Sequence, residues 1–473
     1  MPSRLPSHVS SSAVVRPSRS QSPSPRSSRL LRWLAALPLA CVVAAAGAGA
    51  PAREIVGYYP GWKSAGFPAD AAHIDASQLT VVLFAFLDTC WNGRHGNPNP
   101  AAGVVEVCHD AGVGSASNGG SDAAAAPPDG TLVFGDPAHD GASLHALAAL
   151  KHGHPGLRVL ASVGGWNWSN QFSNLAATAP ARATFAASAL ALLRRYDLDG
   201  IDIDWEYPTA AGVPCTAAQV CERPDDKQHY VTLVRELRAA FDAAGRADRK
   251  HYAITIAAGA TDKFIDDPNG SSRWLAQLAD SLDWINLMAY DYHMPWDARN
   301  GHLAALNGDP QDPAFALGYD DATAVRRYLA AGVAPDKLVL GAPFYGYGWK
   351  ACPSGAAADG LYQQCGGAAD GGIDASASYP FGWLVDAGLL VQGARGDYDV
   401  GAHGYRRYWS EAAQAPYLYN AATQVWISYE DQASLRAKSR YINARGLRGA
   451  MFWELSGDSG HALGAVLAKE LRH

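Results

Sequence analysis

The sequence is poor in charged residues and lacks the marks of several protein classes. Only 18% of its 473 residues are charged while 48% are hydrophobic, which excludes a mainly disordered chain. The 48 glycines and 28 prolines are too many for a helical bundle. No CxxC pair, Cys/His cluster, repeat array or Ser/Thr/Pro linker to a second module is present. The composition therefore predicts a globular protein with a large core and without a structural zinc site.

Basic residues are scarce outside the N-terminal segment. The first 50 residues carry six arginines and no acid, and removing them leaves 32 basic against 45 acidic side chains, a formal charge of −13. A surface of this sign repels a phosphate backbone, so we expect no nucleic-acid partner. The 14 tryptophans are numerous, and tryptophan either fills a core or stacks on a ligand such as a sugar.

The N-terminal segment, residues 1–50, has the pattern of a secretory signal with an extension. Its uncharged apolar run, residues 33–47, is too short to span a membrane. Small residues at 46–50 fit a cleavage site. A lipid anchor at Cys41 is a weaker interpretation, because Pro38 stands where leucine is usual. The pattern predicts a secreted protein, with the periplasm as the alternative, that has no membrane attachment after cleavage.

The cysteine count agrees with export. Removal of the signal segment leaves six cysteines, an even number that suits disulfide bonds in an oxidising compartment. Six cysteines allow 15 pairings, and free buried thiols are the alternative. Their clustering along the chain favours neighbouring pairs, namely Cys90 with Cys108, Cys215 with Cys221, and Cys352 with Cys365.

Eight short β-branched or aromatic runs alternate with helical patterns over residues 51–473. Several of these runs are continuously apolar, as strands buried on both faces of a parallel sheet must be. The predicted strands are residues 55–59, 80–87, 158–163, 200–206, 252–257, 284–290, 338–343 and 449–453. The predicted helices are residues 144–151, 180–196, 227–244, 322–331, 431–445 and 461–471. This alternation predicts an α/β fold, a (β/α)8 TIM barrel.

Two long insertions interrupt the alternation. Residues 90–135 follow the second strand and are rich in Gly, Ser, Ala and Asn. Residues 349–425 lie between the seventh and eighth strands and are long enough for a small α+β subdomain. Both follow barrel strands, so both are expected at the carboxyl face, where barrel active sites lie.

A row of acids on the fourth strand carries the chemistry. Side chains alternate between the faces of a strand, so Asp202, Asp204 and Glu206 point one way and the apolar residues between them point the other. The apolar set packs against helices, which leaves the acids inside the barrel. Three carboxylates this close cannot all ionise at neutral pH without large cost. A protonated Glu206 at the top of the row is suited to be a general acid.

The acid row belongs to an ordered set of motifs that resembles the chitinases of glycoside hydrolase family 18. Residues 199–206 match their DxxDxDxE signature and residues 162–165 match SxGG. Residues 288–291 are similar to their MxYD motif, and residues 58–62 and 341–346 also resemble the family. The 349–425 insertion resembles the α+β subdomain of deep-grooved members.

The resemblance implies catalytic roles for four residues. Glu206 would donate a proton to the leaving group, and Asp204 would share a proton between Asp202 and the acetamido group of the substrate. Tyr290 would donate a hydrogen bond to that acetamido group. In this family the acetamido carbonyl of the sugar attacks the anomeric carbon, and the bond is hydrolysed with retention. From strand spacing alone, an ordinary acid and nucleophile pair fits equally well.

The resemblance also implies binding residues. Trp453 and Trp166 would stack on sugar faces, and Met288 and Asp291 would line the cleavage subsite. Tyr58 and Trp62, on and after the first strand, are further candidates, and so are Trp168, Trp349 and Trp383 for outer subsites. Core packing is the alternative for Met288 and for each outer tryptophan, and helix capping is the alternative for Asp291.

These observations predict a monomeric enzyme without cofactor or metal that binds chitin and chito-oligosaccharides. Two other functions stay open. One is a chitinase-like lectin that has lost catalysis, which the presence of Glu206 disfavours. The other is an endo-β-N-acetylglucosaminidase that acts on other glycans containing N-acetylglucosamine.

Overall fold

The computed structural model of the protein describes residues 53–63, 73–95, 108, 127–215, 220–267, 270, 273–374 and 376–472. The predicted signal segment, with Cys41, lies outside the described residues. Sixteen strands occur in the described part of the chain. In chain order they are β1 Glu54–Pro60, β2 Val81–Thr89, β3 Leu132–Phe134, β4 Arg158–Gly164, β5 Gly200–Asp204, β6 Ala253–Gly259, β7 Trp284–Met288, β8 Leu338–Pro343, β9 Tyr345–Trp349, β10 Ser378–Pro380, β11 Leu390–Gln392, β12 Tyr398–Gly401, β13 Arg406–Ser410, β14 Ala415–Asn420, β15 Val425–Ser428 and β16 Gly449–Trp453.

Eight of these strands form a closed parallel barrel. They follow the order β1, β16, β8, β7, β6, β5, β4 and β2, and pairing of β1 with β2 closes the ring. The predicted (β/α)8 barrel is therefore confirmed, with all eight predicted strands present. Two of them end earlier than predicted, since β5 stops at Asp204 and β7 at Met288. The residues just beyond these ends, which include Glu206 and Tyr290, lie in the loops of the carboxyl face.

Helices connect the barrel strands. They are α1 Asp140–Gly153, α2 Gly165–Trp168, α3 Phe172–Ala177, α4 Ala179–Arg195, α5 Asp226–Asp248, α6 Asp262–Ile265, α7 Trp274–Ala279, α8 Asp321–Ala330, α9 Phe381–Asp386, α10 Gln432–Arg445 and α11 Ala462–Leu471. The ends of α10 are set by local chemistry. The Asp431 side chain accepts from the backbone of Ala433 and Ser434, and Gly446 ends the helix at φ 67°. None of the described helices is long and apolar enough to cross a membrane.

Alternation along the strands separates two hydrophobic cores. Ile55 and Tyr59 of β1 pack in the large core between barrel and helices, whereas Val56 and Tyr58 pack inside the barrel. On β5 the apolar residues Ile201 and Ile203 join the outer core. The period of two therefore turns the acids of β5 toward the barrel interior, as the sequence predicts.

A separate antiparallel sheet lies between β8 and α10. It has five strands in the order β10, β9, β15, β14, β13, and a two-stranded hairpin of β11 and β12 accompanies it. The first insertion contributes β3, which pairs antiparallel with the end of β2. The three predicted cysteine pairs are confirmed, since Cys90–Cys108, Cys215–Cys221 and Cys352–Cys365 all form disulfide bonds.

A buried ion cluster joins α8 to α10. The Lys438 ammonium is 3.0 Å from the Asp321 carboxyl and 2.7 Å from the Glu430 carboxyl. All three side chains are almost fully excluded from solvent. Breaking such a cluster by removing one partner leaves an uncompensated buried charge, which is strongly destabilising.

Candidate active site

Asp202 lies at the centre of the barrel and is fully buried. It accepts hydrogen bonds from four strands, from the hydroxyl of Tyr58 at 2.9 Å, of Ser162 at 2.8 Å and of Thr255, and from the amide of Asn286 at 3.1 Å. Burial raises the pKa of Asp202 above its usual value, and these donors offset only part of the rise because they stabilise the ionised carboxylate. The four donors fix the side chain in one orientation.

Asp204 lies one step further along the interior face and is also buried. Its Oδ1 has no hydrogen-bond partner in the part of the chain that is described. Burial, followed by the charges of Glu206 and Asp202, raises the pKa of Asp204 well above its usual value. The protonated form of the carboxyl is therefore favoured, and one of its oxygens is left available to a bound molecule.

Glu206 lies beyond the end of β5 and is partly exposed. Its backbone N–H donates to the Ser169 hydroxyl at 2.8 Å. The pKa of Glu206 is raised to about 7: burial is the largest cause of the rise, a hydrogen bond from Tyr207 opposes it, and the charge of Asp291 adds to it. A carboxyl with a pKa near neutrality can both give and take a proton.

Tyr290 and Asp291 follow β7, which is separated from β5 by one strand of the barrel. Asp291 has φ 59°, a conformation that aspartate tolerates better than most residues, and no helix begins or ends in the described segment between β7 and Phe315, so it is not a helix cap. Its carboxyl accepts from the Tyr345 hydroxyl at 2.6 Å, and burial raises its pKa to about 6. The pKa of Tyr290 is raised by burial and by the charges of Asp291, Asp204 and Glu206. Tyr290 is therefore close to the whole acid row and keeps its hydroxyl proton.

Four rings form an aromatic cluster beside the acids, consisting of Tyr58, Trp62, Phe86 and Trp453. Phe86 stacks on Trp453 with ring centroids 5.6 Å apart and on Trp62 at 6.0 Å. Tyr58 lies 5.3 Å from Trp453. Trp62 is 52% exposed, so one end of the cluster is open to solvent. A flat, partly exposed aromatic surface of this kind is suited to stack on a sugar ring.

The sequence does not predict that Phe86 belongs to the aromatic cluster, because strict alternation along β2 puts it on the outer face with Phe84. The register of β2 against β4 shifts between Phe84 and Leu87. The shift turns Phe86 toward the inner core. Only the observed pairing could reveal it.

The remaining predicted binding residues differ in their location and in how exposed they are. Trp166, on α2, is 53% exposed, and Met288 packs partly buried against the inner core. The interpretation of Trp349 as an outer-subsite residue is wrong, because it is fully buried against Trp426 in the insertion. Trp383 packs on Tyr379 at the outer core. Trp296, which the sequence analysis missed, is 66% exposed.

One acid of the signature lies away from the carboxyl row. Asp199 lies at the amino end of β5, where Lys151 and Lys250 pair with it at 3.3 Å and 3.0 Å. It therefore belongs to the opposite end of the barrel from Glu206. Across the described ranges, no group of three or more His, Cys, Asp or Glu residues is arranged to hold a metal ion.

The sequence and the fold are similar to known glycosidases. Chitinase A1 of Niallia circulans is 39% identical over 444 residues, 89% of this chain and 59% of that protein. This chain thus spans less than two thirds of that relative. Chitinase B of Serratia marcescens is 31% identical over 370 residues, 67% of each chain.

Solved structures give the same result. Chitinase ChiA74 from Bacillus thuringiensis aligns with a TM-score of 0.78 and 38% identity over 89% of this chain and 70% of that one. A family 18 N-acetylglucosaminidase from Paenibacillus barengoltzii aligns with a TM-score of 0.66 and 30% identity over 89% of this chain and all of that one. The family model for glycosyl hydrolases family 18 matches residues 54–458. The chain is therefore a member of glycoside hydrolase family 18.

Proposed function

We propose that this protein is a secreted, monomeric chitinase that hydrolyses the β-1,4 links between N-acetylglucosamine units of chitin and chito-oligosaccharides. One observation carries the proposal: Glu206, with a pKa raised to about 7 chiefly by burial, stands at the open end of a buried carboxyl row, and Asp202 of that row is hydrogen-bonded to Tyr58 of the partly exposed aromatic cluster. The chitinases among the relatives support the choice of substrate.

Each member of the row has a proposed role. Glu206 gives its proton to the glycosidic oxygen as the bond to the anomeric carbon breaks. Asp204, with its unpartnered Oδ1, accepts the N–H of the substrate acetamido group, and Tyr290 donates its hydroxyl to the acetamido oxygen. The fixed Asp202 carboxylate holds Asp204 in its protonated or shared-proton form.

The acetamido oxygen is the nucleophile in this proposal. It attacks the anomeric carbon from the face opposite the leaving group, as the glycosidic bond breaks, and forms an oxazolinium ion. Glu206, now ionised, removes a proton from a water that attacks the same carbon from the face the leaving group occupied. The bond between that carbon and the acetamido oxygen breaks, the acetamido group is regenerated, and two inversions give retention. Trp453 with Tyr58 and Trp62 supports the sugar before the scission point, and Trp166, Met288 and Asp291 contact the chain around it.

Export and localisation are part of the proposal. Three disulfide bonds suit an oxidising compartment, and the pattern of residues 1–50 suits a cleaved signal. We infer secretion to the outside of the cell, with the periplasm as the alternative, and no cofactor, nucleic-acid or membrane partner.

The first experiment measures release of reducing sugar from colloidal chitin by the full chain and by Glu206→Gln. Loss of the proton donor should reduce the rate at least 100-fold, because general acid catalysis contributes about 10²–10⁴-fold. Glu236→Gln, on the helical surface where Glu236 pairs with Arg182, is the matched control and should keep full activity. Equal rates for Glu206→Gln and the wild type would refute the assignment of the acid.

The second experiment tests the nucleophile. Fully deacetylated chitosan oligomers lack the acetamido carbonyl, so the enzyme should leave them intact while it cleaves chitohexaose. Efficient turnover of the deacetylated oligomers would mean that an enzyme carboxylate attacks instead.

A second function is supported by the N-acetylglucosaminidase among the structural neighbours. It predicts release of single sugars or action on other glycans containing N-acetylglucosamine. Product analysis on chitohexaose and on a high-mannose glycoprotein distinguishes these functions, because a chitinase degrades the first and leaves the second unchanged. A chitinase-like lectin would bind chitohexaose and release no product.

A further inference from the structure

The barrel does not hold the backbone of Glu206. Strand β5 pairs with β4 as far as Asp204 and with β6 as far as Ile203. Glu206 is two residues further, past the last ladder hydrogen bond. Its carboxyl can protonate a glycosidic oxygen only from a fixed place, so other contacts must set the position of its peptide.

Ser169 provides such a contact from the loop that follows β4. The side chain is buried, and its Oγ accepts the Glu206 N–H at 2.8 Å. The same oxygen lies 2.9 Å from the Asp204 carbonyl and 2.8 Å from the Gly165 carbonyl. A hydroxyl has one proton and donates to one carbonyl at a time. Ser169 therefore binds the backbone on both sides of Trp205 to the segment that carries α2.

A second contact holds the other end of the Glu206 residue. The Gly212 N–H donates to the Glu206 carbonyl at 3.1 Å. A Cβ at Gly212 would lie 2.8 Å from the Trp166 ring and 3.0 Å from the Glu206 carbonyl oxygen, so a larger residue would crowd both groups. The N–H and the C=O of Glu206 are thus bound from two different loops, and of the two partners only Ser169 acts through a side chain.

We propose that Ser169 is a positioning residue for the general acid: its hydroxyl fixes the backbone of Glu206 and so aims the carboxyl at the leaving-group oxygen. Ser169 does not touch the substrate. The inference rests on the proposed function, because it assigns to Glu206 the role of proton donor.

The test compares Ser169→Thr with Ser169→Val. Threonine and valine have nearly the same shape, and only threonine keeps the hydroxyl. We expect Ser169→Thr to retain most activity on chitohexaose and Ser169→Val to lose roughly 10- to 100-fold in kcat, because a displacement of about 1 Å can cost about 10²-fold. KM should change little, since Ser169 is buried away from the sugar. Ser169→Ala, which introduces no extra methyl groups, is the second variant if valine prevents folding.

The matched control is Ser188→Ala. The Ser188 hydroxyl also accepts a strand N–H, from Leu132 at 3.1 Å, and donates to the Phe185 carbonyl at 3.0 Å, but it lies on α4. Its removal should leave kcat unchanged. Equal kcat for the Thr and Val variants, a loss that lies wholly in KM, or the same loss in Ser188→Ala would overturn the proposal.

One measurement distinguishes failure of the Ser169 positioning role from failure of the proposed function. NMR titration of the Glu206 carboxyl needs no substrate. In Ser169→Val the carboxyl should become less buried and its pKa should fall relative to Ser169→Thr, since burial is the largest cause of its high value. An unchanged pKa overturns the positioning role, whereas a wild-type chain that titrates as expected and leaves chitohexaose intact refutes only the chitinase assignment.

Discussion

Replacement of Asp291 by asparagine should narrow the pH range in which the enzyme is active. Glu206 gives a proton in the proposed mechanism, so kcat falls as pH rises through the Glu206 pKa of about 7. Asp291, with a pKa of about 6, is already ionised in that range. Its negative charge disfavours ionisation of Glu206, so asparagine lowers the Glu206 pKa. The alkaline limb of the kcat profile should therefore move toward acid.

The size of the change follows from the causes of the pKa. A rise from 4.5 to about 7 corresponds to about 3.5 kcal/mol, at about 1.4 kcal/mol for each pKa unit. Burial is the largest cause, and the charge of Asp291 ranks below both burial and the opposing Tyr207 hydrogen bond. Asp291→Asn therefore removes the smaller part of the rise, and the alkaline limb should stay well above 4.5.

The assay measures initial release of reducing ends from saturating chitohexaose, at constant ionic strength, across both pKa values. Asp370→Asn is the control, since Asp370 is a solvent-exposed acid that pairs with Lys350 in the insertion. Its alkaline limb should coincide with that of the wild type. If the alkaline limb of the kcat profile of Asp291→Asn does not move, or moves to higher pH, the electrostatic reasoning is refuted.

Three further outcomes follow from single contacts. Tyr58→Phe removes one donor to Asp202 and should lower kcat about 10- to 100-fold, since a hydrogen bond to a charged group contributes about 1.5–3 kcal/mol; an unchanged kcat would contradict this. Lys438→Met leaves two buried carboxyls without their cation and should cost about 3–5 kcal/mol in urea unfolding, and a loss below 1 kcal/mol would speak against a charged cluster. Replacing Cys90 and Cys108 by alanine opens a loop with a sequence separation of 18 and should cost about 3 kcal/mol, seen as a lower Tm; an unchanged Tm would show that the bond adds no stability.

The barrel was predictable because its strands are buried on both faces and therefore read as apolar runs. The boundaries of β5 and β7 were less predictable, since the alternation of residue types continues past the point where the ladder stops. At Glu206 the next hydrogen bond goes to the Ser169 side chain rather than to a neighbouring strand. A pattern of residue types does not indicate which hydrogen-bond partner a backbone N–H takes.

The sequence predicted the acids of the site more completely than its aromatic residues. Alternation and spacing predict the direction of Asp202 and Asp204, because only one face of β5 can meet the helices. No such rule indicates which tryptophans are exposed and which lie in the core. Trp349 is core and Trp296 is exposed, although both follow barrel strands. Phe86 enters the aromatic cluster only through a register shift.

The sequence alone indicated the fold class and the row of acids and favoured the cysteine pairs that form, since each depends on residue order and spacing along the chain. The tertiary structure alone decided how those acids titrate and which rings lie beside them. The pKa of Glu206 depends on burial and on Asp291, and both arise from strands that are distant in sequence and meet only when the barrel closes. Proton affinity depends on the dielectric and the charges around a carboxyl, and these exist only in the folded chain.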